Sequence, residues 1–313
     1  MIELAIMIEG QDGLNWPRWK RLVRAVEDLG FAGLYRSDHF TNARPPDKDS
    51  LELWVSLTWL ATMTSRIDFG PLVTPVSFRH PAFTARMAAA VDDLSGGRLW
   101  LGVGAGWQER EHEKFGFDLL NLDARFQRFE EGIQVTQRLL ESNEPVDFQG
   151  AFFQLKDALL LPRPVHTGGP LLLIGGNGKK RTLPLAAHYA QAWNAIYLTA
   201  PKFHALNQHL NELLVDQDRS PLDVHRSMMT GIEYAGDEKK LHEKVALRTG
   251  GKLDAEGLRE RGVIVGTPAQ VVDQLGHLAE AGLQRVMLQW LNLDDLDGLE
   301  SLSARVLTQL DGS

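Results

Sequence analysis

The sequence predicts an α/β fold, a (β/α)8 TIM barrel, on three observations. A short apolar strand, a polar loop, an amphipathic helix and a glycine recur along the chain. Strands that alternate with helices imply parallel pairing through right-handed crossovers. The 313 residues hold about eight such units, each pair of elements taking roughly thirty residues, with two insertions after strands four and seven. An open doubly wound sheet shares this cadence and remains the rival, because periodicity alone does not separate the two. No Pro/Gly/Ser-rich linker divides the chain, so residues 1–313 read as a single domain.

The elements follow in order. "IELAIMI" is the first strand. Pro17 to Leu29 has helical spacing, with Trp19, Leu22, Val23, Val26 and Leu29 on one stripe, and Gly30 stands where a left-handed cap belongs. "FAGLYRS" is the second strand, and Ser50 is placed to cap a helix carrying Leu51, Trp54, Val55 and Thr58. "RIDFGPLVT" is the third strand, and Pro81 opens the helix after it. "RLWLGVG" is the fourth, with a long helix from about Asp123 to Leu140. "PLLLIGG", "QAWNAIYL" and "VHRSMMTGIEYAG" give the fifth, sixth and seventh. In "GTPAQVVDQLGHLAEAG", Thr267, Pro268 and Gln270 form a capping-box start and Gly282 an end. "LQRVMLQW" is the eighth strand, and a last helix holds Leu299, Leu302 and Val306. Two segments interrupt the cadence: "EPVDFQGAFFQLKDALLLPRP", a hairpin and loop, and "GDEKKLHEKVALRTGGKLDAEGLRERG", a charged helical insertion.

Composition narrows the function classes. With 43% hydrophobic and 24% charged residues the chain can bury a large core. Its net charge of −8, with no basic block, argues against nucleic acid and anionic membrane as partners. The absence of cysteine rules out disulfides, thiol catalysis and cysteine-held metal, and fits a cytoplasmic protein. "MIELAIMIEGQDG" lacks the basic start of a signal peptide, and runs such as "PLLLIGG" are too short to cross a bilayer.

In a parallel barrel the chemistry sits at the C-terminal ends of the strands. That rule selects Glu9, Ser37–Asp38–His39, Thr74, Ala105 to Trp107, Gly175 to Gly178, Trp193–Asn194 and Gln289–Trp290. In "RSDHF" an acid precedes a histidine, the side chain that titrates near neutral pH. Its bland reading is a capping aspartate and an ordinary loop histidine. Neighbouring residues on extended chain point apart, so Asp38 need not touch the imidazole. In "LGVGAGWQEREHEKFG", Gly102, Gly104 and Gly106 alternate without the dinucleotide-binding spacing. They admit a flat ligand or a neighbouring backbone, or simply make a tight turn. The run from Glu109 to Lys114 reads as a solvated helix face. Glu109 and His112 have metal-ligand spacing, but no further ligands accompany them, so no metal is expected. In "LIGGNGKKRT", Lys179, Lys180 and Arg181 crowd a helix start, against the macrodipole. Backbone N–H groups there, with Arg181, suit a phosphate, and the bland reading is a basic surface turn.

These stretches together, "RSDHF", "TPVSFRHPAF…AAAVDDLSGGRLWLGVGAGWQEREHEKFG" and "LLLIGGNGKKRTLPLAAHYAQAWN", resemble the bacterial-luciferase-like superfamily. The resemblance is strongest to the branch that uses the deazaflavin coenzyme F420. It covers Ile2 to Asn194 closely and "GTPAQVVDQLGHLAEAGLQRVML" more loosely. It implies a (β/α)8 barrel with the cofactor ring at the C-terminal face, and a homodimer. It implies that His39 is the general base near the ring, with Asp38 positioning it. Leu72-Val73 matches a bulge with a non-proline cis peptide behind the ring, next to Thr74. Gly104, Ala105 and Gly106 match the glycines beside the cofactor, and Gly175, Gly176, Asn177 and Gly178, with Arg181, the loop that holds its phosphate. Glu9, Trp107, Trp193 and Trp290 are expected in the substrate pocket.

Two departures bear on the substrate. Sugar-phosphate and alcohol dehydrogenases of this branch carry tryptophan where this chain has Ala43 and glutamate where it has Trp107. Trp107 suits an apolar wall instead. The implied activity is hydride transfer between F420 and a small organic substrate. An FMN-dependent monooxygenase on the same barrel is the alternative, although FMN members often carry glutamate where this chain has Asp38. A non-catalytic flavin-binding barrel is a further alternative.

Overall fold

The computed structural model describes residues 2–311. Its strands are β1 (Glu3–Ile8), β2 (Gly33–Arg36), β3 (Asp68–Pro71), β4 (Thr74–Pro75), β5 (Trp100–Gly104), β6 (Val146–Gln149), β7 (Gln154–Ala158), β8 (Leu171–Gly175), β9 (Ala192–Ile196), β10 (His225–Tyr234), β11 (Ile264–Gly266) and β12 (Arg285–Gln289). The main sheet runs β3-β2-β1-β12-β10-β9-β8-β5-β4, every pair parallel. β3 and β4 are two parts of one barrel strand, parted at Leu72-Val73, whose peptide bond is cis. β3 pairs with β2 and β4 with β5, and a bridge from Phe69 to Leu99 closes the ring. The closed ring, not the open sheet, is therefore the fold, and all eight expected barrel strands are in place.

The alternation of side chains along each strand makes two cores. Leu4, Ile6 and Ile8 of β1 point outward into the large core beneath the helices, while Ala5 and Met7 point inward with Tyr35, Leu72, Leu173 and Met287. The helices covering the outside are α1 (Trp16–Asp28), α2 (Leu53–Met63), α3 (Pro81–Ser95), α4 (Glu109–Phe115), α5 (Leu122–Glu141), α6 (Thr182–Tyr189) and α7 (Ala200–Val215). After them come α8 (Glu238–Thr249), α9 (Ala255–Arg259), α10 (Pro268–Glu280) and α11 (Leu296–Leu302). Trp19, Leu22, Val23 and Val26 are the buried face of α1, as its spacing requires. Gln270 Oε1 accepts from the Thr267 amide at the start of α10.

Both insertions lie where they were expected. β6 and β7 form an antiparallel hairpin between α5 and β8. α8 and α9 follow β10, and Leu241, Val245, Leu258 and Val263 give that insertion its own small core. Two local expectations fail. Ser50 does not cap α2: the Glu52 carboxylate does, accepting from the Val55 amide at 2.7 Å, and Ser50 Oγ donates to the His39 carbonyl instead. The last helix is also interrupted, α11 passing into a π turn at Ser303–Leu307. Among the described residues no helix is long and apolar enough to cross a membrane.

Candidate active site

A cavity of about 600 Å³ opens at the C-terminal ends of the barrel strands. It collects residues from most of the chain: Glu9 after β1, Ser37 and His39 after β2, Leu72 and Val73 at the break, Gly104 to Trp107 after β5, and Gly175 at the end of β8. The bulge and the glycines interlock. A Cβ on Gly102 would lie 2.1 Å from the Pro71 carbonyl oxygen, and one on Gly104 would lie 2.6 Å from Val73 Cγ2. The alternating glycines therefore admit the neighbouring strand segment. Gly104 and Gly106 also border the cavity, so the two readings of this stretch both hold.

His39 is one of the titratable side chains that line the cavity, with Glu9 and Glu111. Its Nδ1 lies 2.8 Å from Glu111 Oε1, and Glu111 Oε2 accepts from the Phe40 amide at 3.0 Å. Glu111 is buried at 1% exposure on α4. Nε2 makes no hydrogen bond to the described residues and is left to the cavity that His39 lines. The Trp107 ring stands edge-on to the imidazole, 5.5 Å between centroids. Burial pushes the imidazole pKa down; the hydrogen bond and charge of Glu111, with the charges of Glu9 and Asp38, outweigh it, and the net effect is a rise.

Asp38 departs from its expected place. It is buried and accepts from Thr74 Oγ1 at 2.7 Å and from Arg79 Nη1 at 2.5 Å, and Arg79 continues to Glu52. Asp38 and Thr74 therefore join β2 to β4 and to the start of α2, and neither lines the cavity. The extended backbone turns consecutive side chains apart, and the acid that meets the imidazole comes from 72 residues along the chain.

The loop after β8 is also rearranged relative to expectation. Gly175 lines the cavity, as does Thr182 at the start of α6; Gly176, Asn177 and Gly178 do not. Gly176 has φ 128, a conformation open to glycine. The Trp193 indole donates to its carbonyl at 2.8 Å, and the Asn177 amide is used twice on the backbone of Ile196. Arg181 turns away from the cavity to Asp123, its guanidinium over the Phe126 ring. The basic group that does line the cavity is Arg125 of α5, which donates to the carbonyls of Gly106 and Leu120.

Of the four expected pocket residues, Glu9 and Trp107 line the cavity and Trp193 and Trp290 do not. Trp193 is fully buried, stacked on Phe203, and Trp290 lies in the helix-facing core with its indole on the Asp295 carbonyl. Their side chains take the outward phase of the strand alternation. Glu9 is held at both oxygens, by Gln289 Nε2 at 2.6 Å and Gln11 Nε2 at 2.9 Å. Tyr197, in the left-handed region at φ 51, donates its hydroxyl to Gln289.

Sequence reasoning missed Glu111, Arg125, Phe126, Phe129 and Thr182. For α5 a signal existed: Leu122, Arg125, Phe126 and Phe129 follow i, i+3, i+4, i+7 spacing, and all four line the cavity. Glu111 and His112 lay inside a charged run read as solvated, yet both are buried. His112 is no metal ligand here, because its Nδ1 meets the Gln108 carbonyl and its Nε2 the Ser77 hydroxyl.

Comparisons with known proteins agree with this geometry. The family model described as luciferase-like monooxygenase matches residues 5–249. An F420-dependent glucose-6-phosphate dehydrogenase of Amycolatopsis mediterranei is 26% identical over 319 residues, covering 92% of each chain. A 4-hydroxyprotoasukamycin monooxygenase of Streptomyces nodosus subsp. asukaensis is 33% identical over 184 residues, 58% of this chain and 48% of its own. Among solved structures, an F420-dependent secondary alcohol dehydrogenase in complex with an F420-acetone adduct superposes with TM-score 0.84, 19% identity and 98% coverage of both chains. The matched span runs from β1 into α8 and takes in every strand end that borders the cavity, and on it the chain belongs to the luciferase-like monooxygenase family.

Proposed function

We propose that this chain is an F420-dependent oxidoreductase that moves a hydride between the deazaflavin and a small, largely apolar organic substrate. The observation that carries the reading is the cavity lined together by His39, whose Nε2 has no hydrogen bond among the described residues, by the strand break at Leu72-Val73 and by the glycine-bordered end of β5. The residues present fit such a cofactor. Leu72, Val73, Pro75 and the Gly104–Gly106 backbone offer a surface with few side-chain atoms to a flat ring. Thr182 and the N–H groups that Arg125 keeps beyond those on the Leu119, Gly106 and Leu120 carbonyls support an anionic end at this side of the cavity, with Arg125 proposed for the phosphate in place of Arg181. F420-dependent relatives covering 92% and 93% of this chain support the cofactor.

When bound, the deazaflavin takes or gives two electrons as a hydride. The chain's own part is the proton. In the oxidative direction a substrate carbon loses hydride, the adjoining heteroatom loses its proton to His39 Nε2, and a double bond forms between the two atoms. The reverse direction uses the imidazolium as donor. Trp107, Phe126 and Phe129 wall the substrate's apolar part and exclude water, and Glu9 orients a hydrogen-bond donor. Trp107 in place of a carboxylate supports a substrate less polar than a sugar phosphate. The monooxygenase relative supports a second reading, FMN-dependent oxygenation in the same cavity.

Calorimetric titration of the apoprotein with F420 and, separately, FMN decides between them. Tight F420 binding with weak FMN binding is expected; the reverse sinks the hydride-transfer reading. The same proposal includes a homodimer, supported by Val55 and Met63 on α2 and Phe83 and Leu94 on α3, all apolar and exposed. Light scattering giving a monomer mass at micromolar concentration would remove that part.

A further inference from the structure

The proton-handling reading of His39 leaves open what sets its tautomer and basicity. From the buried carboxylate at its Nδ1 we infer that Glu111, not Asp38, is the positioning residue of the site: it holds His39 as the Nδ1–H tautomer and directs a basic Nε2 at the substrate. The inference rests on the proposed function only for the use to which that nitrogen is put.

The hydrogen bonds require the tautomer. Glu111 accepts from the Phe40 amide at 3.0 Å, and its other oxygen lies 2.8 Å from His39 Nδ1, where an ionised carboxylate can only accept. Nδ1 must then carry the proton, and the neutral ring leaves Nε2 as a bare acceptor. The 2.8 Å contact to His39 sits in the range of charge-assisted bonds. Glu111 is 1% exposed, so the carboxylate end of the pair is shielded from water and its attraction is felt strongly at the ring.

The anchoring is also geometric. α4 carries Glu111 and begins two residues after Trp107, whose edge meets the imidazole. Ser50 Oγ holds the His39 carbonyl at 2.6 Å. The ring is therefore fixed at its backbone, at one nitrogen and at one edge, with one nitrogen free.

Other charges face the ring, and none takes this role. Glu9 reaches the cavity from the end of β1 with both oxygens occupied by Gln289 and Gln11. Asp38 is bound to Thr74 and Arg79. Arg125, on α5, lines the same cavity, is held by the Gly106 and Leu120 carbonyls and makes no contact with the imidazole among the described residues. Among the described residues Glu111 alone hydrogen-bonds a ring nitrogen of His39.

The test is nitrogen NMR of histidine-labelled protein through a pH titration, with His39→Asn used to assign the His39 signals. In the wild type, His39 is expected as a pure Nδ1–H tautomer titrating above free histidine. Glu111→Gln keeps an acceptor but loses the charge, and is expected to lower the proton affinity of His39 about tenfold and to mix the tautomers. Glu111→Asp is expected to restore part of both, and serves where the glutamine variant fails to fold. An unchanged midpoint and tautomer in either folded variant overturns the inference. Steady-state kinetics with F420 then tests the reading beneath it. In Glu111→Gln, kcat should fall at least tenfold with KM within threefold, and the pH profile should move with the NMR midpoint. If the NMR shifts as expected while kcat and its pH profile stay put, Glu111 still positions His39, but His39 is not the proton carrier.

Discussion

At the scale of single residues, the two members of "SDHF" have separate tasks. His39 presents a nitrogen to the cavity, while Asp38 is a buried tie between β2, β4 and Arg79. His39→Ala is therefore expected to abolish turnover and leave F420 affinity within about tenfold, since the ring contributes chemistry more than binding area. A large loss of affinity with residual turnover above a few per cent would contradict that role. Asp38→Asn should behave in the opposite way. Removing the charge leaves half-buried Arg79 with Glu52 as its remaining acidic partner, and about 2–4 kcal/mol of stability should be lost. Turnover per folded molecule should stay within about threefold, whereas loss of turnover at unchanged stability would restore Asp38 to the catalytic machinery. A dipeptide cannot show this division. The sequence places both residues at a strand end, but which one meets the cavity depends on the turn of the backbone and on α4, which brings Glu111 from a distant position.

At the scale of elements, most of the site's frame was legible. Strand alternation, glycine ends and proline starts predicted the eight barrel strands and both insertions, because each is a local consequence of side-chain period and backbone freedom. What stayed hidden is what an element does when another packs on it. α4 spans seven residues, too short for a periodic stripe to announce that Glu111 and His112 point inward. Trp193 and Trp290 lie near strand ends, but their phase turns them to the helices. The third strand reads as continuous in sequence and is broken in space, with Gly102 fitted against the carbonyl of Pro71. That contact makes a sharp prediction. Gly102→Ala forces a methyl against backbone that flexible side-chain movement cannot relieve, so about 1–3 kcal/mol should be lost. Denaturant titration would check it, and an alanine variant of wild-type stability would mean that β3 and β5 are not held this close.

At the scale of the whole molecule, the two ends of the barrel differ in kind. The C-terminal end holds the cavity. The N-terminal end is shut by Arg285, which donates to Glu3, to the Tyr35 hydroxyl and to Asp68 and lies 4.2 Å from the Trp100 ring centroid. These partners start four different strands or lie inside them, so one guanidinium ties strands that are far apart in sequence. The same plug makes stability depend on pH. His225, at the start of β10, stands edge-on to Trp100 at 5.1 Å, and its Nδ1 is buried with no hydrogen-bond partner among the described residues. Burial first, and then the Arg285 cation, lower its pKa to about 4. The unfolded chain takes up this proton near pH 6.5. Between these two values the unfolded state binds more protons than the folded one, so stability is lost as pH falls from about 6.5 toward 4 and is fully present above that window. Discounted for the partial exposure of His225, the loss from this one group between pH 7 and pH 5 is about 1 kcal/mol. His225→Leu removes the titrating group while keeping an apolar contact with Trp100, and its denaturation midpoint should fall less than the wild type's over that interval. Equal falls in the two proteins would place the acid sensitivity elsewhere, whereas a smaller fall in the variant would show that the end of the barrel far from the cavity sets the acid limit of the fold.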